Sequence, residues 1–252
     1  MFTFKPTIHY VPFPIGLAEN VLADEDYREL ARTYPSSDEF VHKNRSKDLR
    51  STFNNRTRKK EFASWINRHS AWKRFHDEVT SNRFAEQVFA VLASHGIRFT
   101  EKLQRPPLMT ELRKAAGDIL KRRQFPVFSR PVRSRVEFGA YPADGGYIKP
   151  HTDAPGTLVT LVMPMCEEGE WSQDWGGELE ICKPKKTEDI FNFVNAFGEF
   201  DDFTPVTKFA FQPNQAMFFV KTYDSWHCVR PMTAPAGEDK WRKTVVVVFE
   251  VD

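Results

Sequence analysis

Cysteine is scarce in this chain, and what there is does not pair. Cys166, Cys182 and Cys228 are odd in number, far apart and without a C-x-x-C couple, so neither a disulfide framework nor a zinc site is expected. No segment approaches the ~20 apolar residues of a membrane-spanning helix. The opening MFTFKPTIHYVPFPIG carries three prolines and no unbroken apolar run, and does not read as a signal peptide. Internal repeats and low-complexity tracts are missing too. These absences leave a globular protein in a reducing compartment, with the cytoplasm as the expected location and no membrane partner.

What is abundant is aromatic: 23 Phe and 6 Trp in 252 residues. Such side chains favour strands and bury large areas, which fits a β-rich core or an aromatic-lined cavity. The length suits one large domain as well as two small ones. Net charge is only +2 but unevenly spread. From residue 137 onward 19 acidic residues face 10 basic ones, whereas the first 136 residues carry 26 basic and 15 acidic. Such asymmetry can mark an anion-binding face.

Residues 1–130 read as mostly helical. A helix is expected over 24–34, with Asp24 as N-cap and Pro35 ending it. The stretch 43–60 holds eight Lys/Arg, one acid and almost no apolar residue, and reads as a solvated loop. Trp65, Trp72, Phe75 and Val79 recur at helical spacing over 62–80, and Phe84, Val88, Phe89 and Leu92 over 82–94, where His95-Gly96 supplies a stop. A further helix is expected around 110–123. From Val132 the pattern turns to short β-branched or alternating runs: 132–141, 147–152, 157–164, 178–183, 206–212, 215–221, 226–231 and 242–250. Turn residues separate them, and no long helix intervenes, so a sandwich or barrel is expected rather than a βαβ sheet. Eight strands suit a double-sheet jelly roll. The fold class is therefore α+β with a mainly β core: a helical region, 1–130, packed on a catalytic core, 131–252, as one unit.

His151-Thr152-Asp153 puts an imidazole and a carboxylate two residues apart. In a strand, residues i and i+2 point the same way, so both side chains can converge on one ion. His227 lies 76 positions later, at the start of another predicted strand. Two histidines and one carboxylate on one face of an ion make the triad of non-haem Fe(II) oxygenases, with open positions for oxygen. An isolated H-x-D is common by chance, so its surroundings decide. Arg242 opens the last strand and shares a face with Thr244, Val246 and Val248. A fixed guanidinium there can clamp a carboxylate at the end of an apolar groove. In a jelly roll the first and last strands can adjoin, which would let Tyr141 reach the same carboxylate.

Tyr141-Pro142, Gly146 to Asp153, Trp175-Gly176-Gly177-Glu178-Leu179-Glu180-Ile181, His227 to Met232 and Arg242 together resemble the prolyl-4-hydroxylase-like branch of the 2-oxoglutarate/Fe(II) oxygenases. The resemblance covers roughly residues 130–252. It implies a double-stranded β-helix, Fe(II) bound by His151, Asp153 and His227, and 2-oxoglutarate held by Arg242 with help from Tyr141 and Thr244. O2 is the implied oxidant and ascorbate a candidate reductant. The expected reaction is hydroxylation of a C–H bond, with release of succinate and CO2, on a small-molecule or peptide substrate. Asp153 argues against halogenation, because related halogenases lack that carboxylate. Arg242 follows His227 by 15 residues, farther than usual, which leaves Lys240 or Lys243 as competing carboxylate partners.

Substrate contacts are read as Arg133 and Arg135, which share parity with Tyr141, and as Trp171, Trp175, Trp226 and the Phe-rich 190–203 stretch. The long 183–205 segment is a lid or an interface. If residues 43–60 bind anything, it is an anionic small molecule, through Arg56, Arg58 and Lys59. A non-catalytic jelly roll that binds metal or sugar is the competing class. A nucleic-acid demethylase is disfavoured: base-repair relatives resemble Arg-x5-Arg on the final strand, and here Val248 stands six after Arg242. A zinc hydrolase is disfavoured because no general base flanks the motif.

Overall fold

The computed structural model describes residues 2–42, 51–99, 132–189, 195–237 and 239–251. Strands β1 (Thr7–His9) and β2 (Ile15–Glu19) precede helix α1 (Asp24–Arg32), and β3 (Val41–His42) and β4 (Ser51–Asn54) follow it. Helices α2 (Lys59–Arg68), α3 (Ser70–Val79) and α4 (Asn82–Ser94) come next. The remaining strands are β5 (Val132–Pro142), β6 (Ile148–His151), β7 (Thr157–Pro164), β8 (Leu179–Pro184), β9 (Phe203–Phe209), β10 (Gln215–Val220), β11 (His227–Val229) and β12 (Trp241–Val251).

These strands form two antiparallel sheets, one in the order β1-β2-β10-β7-β12-β5-β4-β3 and one in the order β6-β11-β8-β9. From β5 to β12 the chain alternates between them as a double-stranded β-helix does. The eight predicted strands match these eight elements, with ends displaced by up to three residues. The central strand, β12, pairs β5 along its whole length and β7 along most of it, and its two faces are covered, one by the helices and one by the small sheet. That is why it reads as an unbroken β-branched run.

The outer face of the large sheet packs against the helices. Val245, Val247 and Phe249 on β12, Val136 and Phe138 on β5, and Val159, Leu161 and Met163 on β7 join Trp65, Trp72, Phe75, Val79, Phe84, Val88 and Leu92 in one core. Phe138 is its hub, with ring centroids 4.7 Å from Trp72, 5.3 Å from Trp65, 5.4 Å from Tyr34 and 5.7 Å from Phe62. The opposite face of the large sheet turns Val162, Met217, Phe219 and Val246 toward Leu179 and Ile181 of the small sheet, forming the barrel interior.

The N-terminal part departs from its sequence reading. Among the described residues it carries strands as well as helices: β1 and β2 extend the large sheet beyond β10, and β3 and β4 extend it beyond β5. Phe13 and Ile15 enter the barrel core through this route. Residues 51–54, read as solvated loop, form β4 because Phe53 stacks against Phe138. Residues 43–50 of that basic loop and the helix expected at 110–123 lie outside the described residues, and the loop's last two residues, Lys59 and Lys60, begin α2 instead. The single helix expected over 62–80 is two, α2 and α3, hinged at His69 with φ −117° and ψ 98°. Asp24 does not cap α1. Ala23 holds that position, while the Asp24 carboxylate accepts a hydrogen bond from Asn214 in the β9–β10 turn. Ser81 caps α4, accepting from the Phe84 N–H, and Gly96 at φ +81° follows its end. No helix among the described residues is long and apolar enough to cross a membrane.

Candidate metal centre

His151 and His227 are register partners on β6 and β11, which sets their rings 4.2 Å apart. Asp153, just past the end of β6, brings Oδ1 to 3.9 Å from His151 Nε2 and 3.8 Å from His227 Nε2. The three ligand-type atoms lie within 4.8 Å of one another. This is the spacing a single ion needs, and two imidazoles with one carboxylate are a donor set that suits iron(II).

The lone pairs are aimed. His151 Nδ1 lies 2.9 Å from the Lys149 carbonyl and His227 Nδ1 lies 3.0 Å from the Ser225 carbonyl. A carbonyl only accepts, so each Nδ1 carries the proton and each Nε2 presents its lone pair to the centre. Thr160 Oγ1 donates to Asp153 Oδ2 at 2.6 Å, which leaves Oδ1 for the centre. Burial pushes the Asp153 carboxyl up, but His227, His151, the Thr160 hydroxyl and Arg135 outweigh it and hold the group below the usual carboxylate range. Burial lowers the His227 imidazole and keeps it neutral, the form that binds metals. The Phe219 ring packs 4.2 Å from His227. Phe197 stacks on His151 at 5.5 Å while itself 65% exposed, so it covers one side of the centre.

Farther along the same inner wall, Arg242 on β12 pairs in register with Tyr141 on β5. Arg242 is only 2% exposed. Its Nε donates to the Gly177 carbonyl at 2.7 Å and its guanidinium lies over the Phe211 ring at 4.8 Å. Burial lowers its pKa to about 10, which leaves it cationic at neutral pH. Among the described residues no ion pair occupies it, whereas Arg230 is held by Glu180. Gly177 sits at φ +87°, and a Cβ there would meet Trp171 at 2.7 Å. Only glycine brings this carbonyl against Arg242. Thr244, facing Gly139, is buried beside the pair. Lys243 points to the other face and pairs with Glu170 at 2.8 Å, which removes it as a rival to Arg242.

The predicted substrate contacts fare differently. Trp226 is 4% exposed and packs with Phe203, Cys182 and Cys228, away from the barrel interior, because its neighbour His227 takes the inner face. Trp175 abuts Trp171, which in turn abuts Phe211, so it belongs to the Arg242 end of the barrel. Arg133 is exposed. Arg135 faces inward near Asp153 but is bound to Glu137 at 3.2 Å and Glu250 at 3.3 Å. In the basic stretch, Arg58 donates to the Glu39 carbonyl and lies over Phe53, and Arg56 stands 3.8 Å from Glu250. Of the Phe-rich stretch, 190–194 lie outside the described residues. Thr160 was missed. Thr160 shares strand parity with inward-facing Val162, and that signal was available.

Residues 136–249, which span all of the triad and Arg242, match the family model described as the 2OG-Fe(II) oxygenase superfamily. No curated protein sequence matches the chain. Among solved structures, a Pseudomonas putida prolyl-4-hydroxylase aligns at 12% identity and TM-score 0.46, covering 94% of this chain and 91% of that one. A Trichoplax adhaerens prolyl hydroxylase, solved with a hypoxia-inducible-factor peptide fragment, aligns at 13% identity and TM-score 0.46, covering 94% and 83%. Likenesses this distant add nothing to the strand order above. The family match over residues 136–249, the triad and the double-stranded β-helix agree with one another, and together they support an iron- and 2-oxoglutarate-dependent dioxygenase.

Proposed function

We propose that this enzyme hydroxylates an unactivated C–H bond of a small metabolite or a peptide side chain, with His151, Asp153 and His227 holding Fe(II) and Arg242 anchoring 2-oxoglutarate. The observation that carries the reading is the shared interior. The triad and a buried guanidinium with no ion pair among the described residues line one barrel, separated by the apolar side chains of Val162, Val246, Met217 and Phe219. That wall suits the methylene section of a dicarboxylate whose far end needs a cation.

Bound Fe(II) supplies oxygen activation coupled to decarboxylation of the 2-oxo acid. The chain supplies placement and dryness. Carbonyls at Lys149 and Ser225 fix the two imidazoles, Thr160 fixes the carboxylate, and the apolar wall keeps water from the groove. Tyr141 and Thr244 flank Arg242 as further contacts for the distal carboxylate. With Asp153 in place as a ligand, the site favours hydroxylation over halogenation. Phe197, lying on His151, acts as part of a cover over the reacting atoms. Residues 131–252 form the catalytic core, and the preceding chain supports it with helices on the outer face, strands at the sheet edges, and Phe13 and Ile15 in the barrel core.

The test is succinate formation from 2-oxoglutarate by Fe(II)-loaded protein, screened against amino acids, peptides and nucleotide-linked sugars, with His151→Ala as control. Substrate-dependent succinate that disappears in the control is expected. Intact Fe(II) binding with no turnover under any condition would sink the proposal.

A further inference from the structure

Lys221 is the residue of the metal end that nothing above uses. It follows β10 directly, and its N–H donates to the Leu158 carbonyl on the neighbouring strand. Strand parity puts it on the same face as Phe219, whose ring touches His227. Its ammonium nitrogen is buried and has no hydrogen-bond partner among the described residues.

Each nearby carboxylate is already engaged. Asp153 accepts from Thr160 and turns its other oxygen to the imidazoles. Asp224, in the turn joining β10 to β11, accepts from Thr222 at 2.7 Å. Both attract the Lys221 charge, yet burial outweighs them and lowers its pKa. On the other flank of Asp153, Arg135 is neutralised by Glu137 and Glu250. Lys221 is therefore a cation at the metal end with its hydrogen-bonding capacity unspent. Removing an ammonium from water without a partner is unfavourable, and an arriving anion offsets much of that cost. A single flexible ammonium suits one carboxylate oxygen pair, without the fork geometry that Arg242 offers.

We propose that Lys221 binds a carboxylate of the substrate and so selects acidic substrates at the metal centre. This replaces Arg133 and Arg135 as the anion contact, and it rests on the functional reading above. The carboxylate belongs either to a free α-carboxyl group or to an Asp or Glu side chain.

Binding to enzyme loaded with Zn(II), which holds the site without turnover, and 2-oxoglutarate tests the assignment by calorimetry. One arm uses N-acetyl-proline and N-acetyl-leucine, each as free acid and as primary amide. The other uses the α-amides of N-acetyl-aspartate and N-acetyl-glutamate against the corresponding side-chain amides. In wild type at least one acid should bind tenfold or more tighter than its amide, and the arm in which it falls names the source. Lys221→Met should bring that pair within twofold while 2-oxoglutarate binds as before, and Lys221→Arg should keep part of the preference. The assignment is overturned if wild type prefers no acid, or if the preference survives in Lys221→Met. Weaker 2-oxoglutarate binding in that variant would also overturn it, by giving the lysine to the co-substrate. Failure of the wild type to bind 2-oxoglutarate at all would remove the functional reading, and this one with it.

Discussion

Tyr141 and Arg242 are register partners on β5 and β12, with both side chains buried on the barrel's inner face. They stand at opposite ends of the β domain in sequence and side by side in space. Because β12 is central, any carboxylate they bind is held by the most constrained strand of the fold.

Arg242→Lys should weaken 2-oxoglutarate binding about 10- to 100-fold, since a charge-assisted hydrogen bond is worth about 1.5–3 kcal/mol and lysine cannot reproduce the fork. Calorimetry on metal-loaded protein reads this directly. Unchanged affinity would remove Arg242 from the co-substrate site.

Thr160→Val should loosen the metal without unfolding the protein. Valine keeps the shape but leaves Asp153 Oδ2 without its 2.6 Å donor. Outer hydrogen bonds to ligands typically carry about 10- to 100-fold in metal affinity. Metal titration with a chelator competitor measures the change, and wild-type affinity in the variant would show that Thr160 does not orient Asp153.

How much of this was legible beforehand follows from where the signals lay. The eight barrel strands, the triad and Arg242 announce themselves through period-2 spacing and turn residues, which act locally. β4 does not, because Ser51–Asn54 becomes a strand only by pairing with β5 and stacking Phe53 on Phe138. Arg135 has the right parity for a substrate contact, but its two glutamate partners lie on β5 itself and on β12. Lys221 looked like the end of a strand, since being buried without a partner is a property of the assembled barrel.

Phe138→Ala should cost about 3–5 kcal/mol, the usual range for removing a buried phenylalanine from a packed core. Phe138 is fully buried, and the rings of Tyr34, Trp65 and Trp72 all meet it. Urea unfolding should show a lower midpoint with an unchanged slope. A loss below 1 kcal/mol would deny it the role of hub.

His76 should make the protein acid-sensitive at a site remote from the metal. Burial lowers its pKa from 6.5, against the pull of Asp77. Below about pH 6.5 the unfolded chain takes a proton that the folded chain resists, so this contribution is whole above that pH and is lost as pH falls through the folded value. His76→Leu should therefore lose less stability than wild type between neutral pH and about pH 5, as read by urea unfolding. Parallel pH profiles would show that His76 does not contribute.

The central claim is that one barrel holds Fe(II) at His151, Asp153 and His227 and 2-oxoglutarate at Arg242. Anaerobic titration of Fe(II)-loaded protein with 2-oxoglutarate, followed by the visible charge-transfer absorption of an iron-chelated 2-oxo acid, tests it most directly. The account predicts a band that saturates at one equivalent, is absent in His151→Ala, and needs a higher 2-oxoglutarate concentration in Arg242→Lys. A band of wild-type strength in His151→Ala, or none in Fe(II)-loaded wild type, would contradict it.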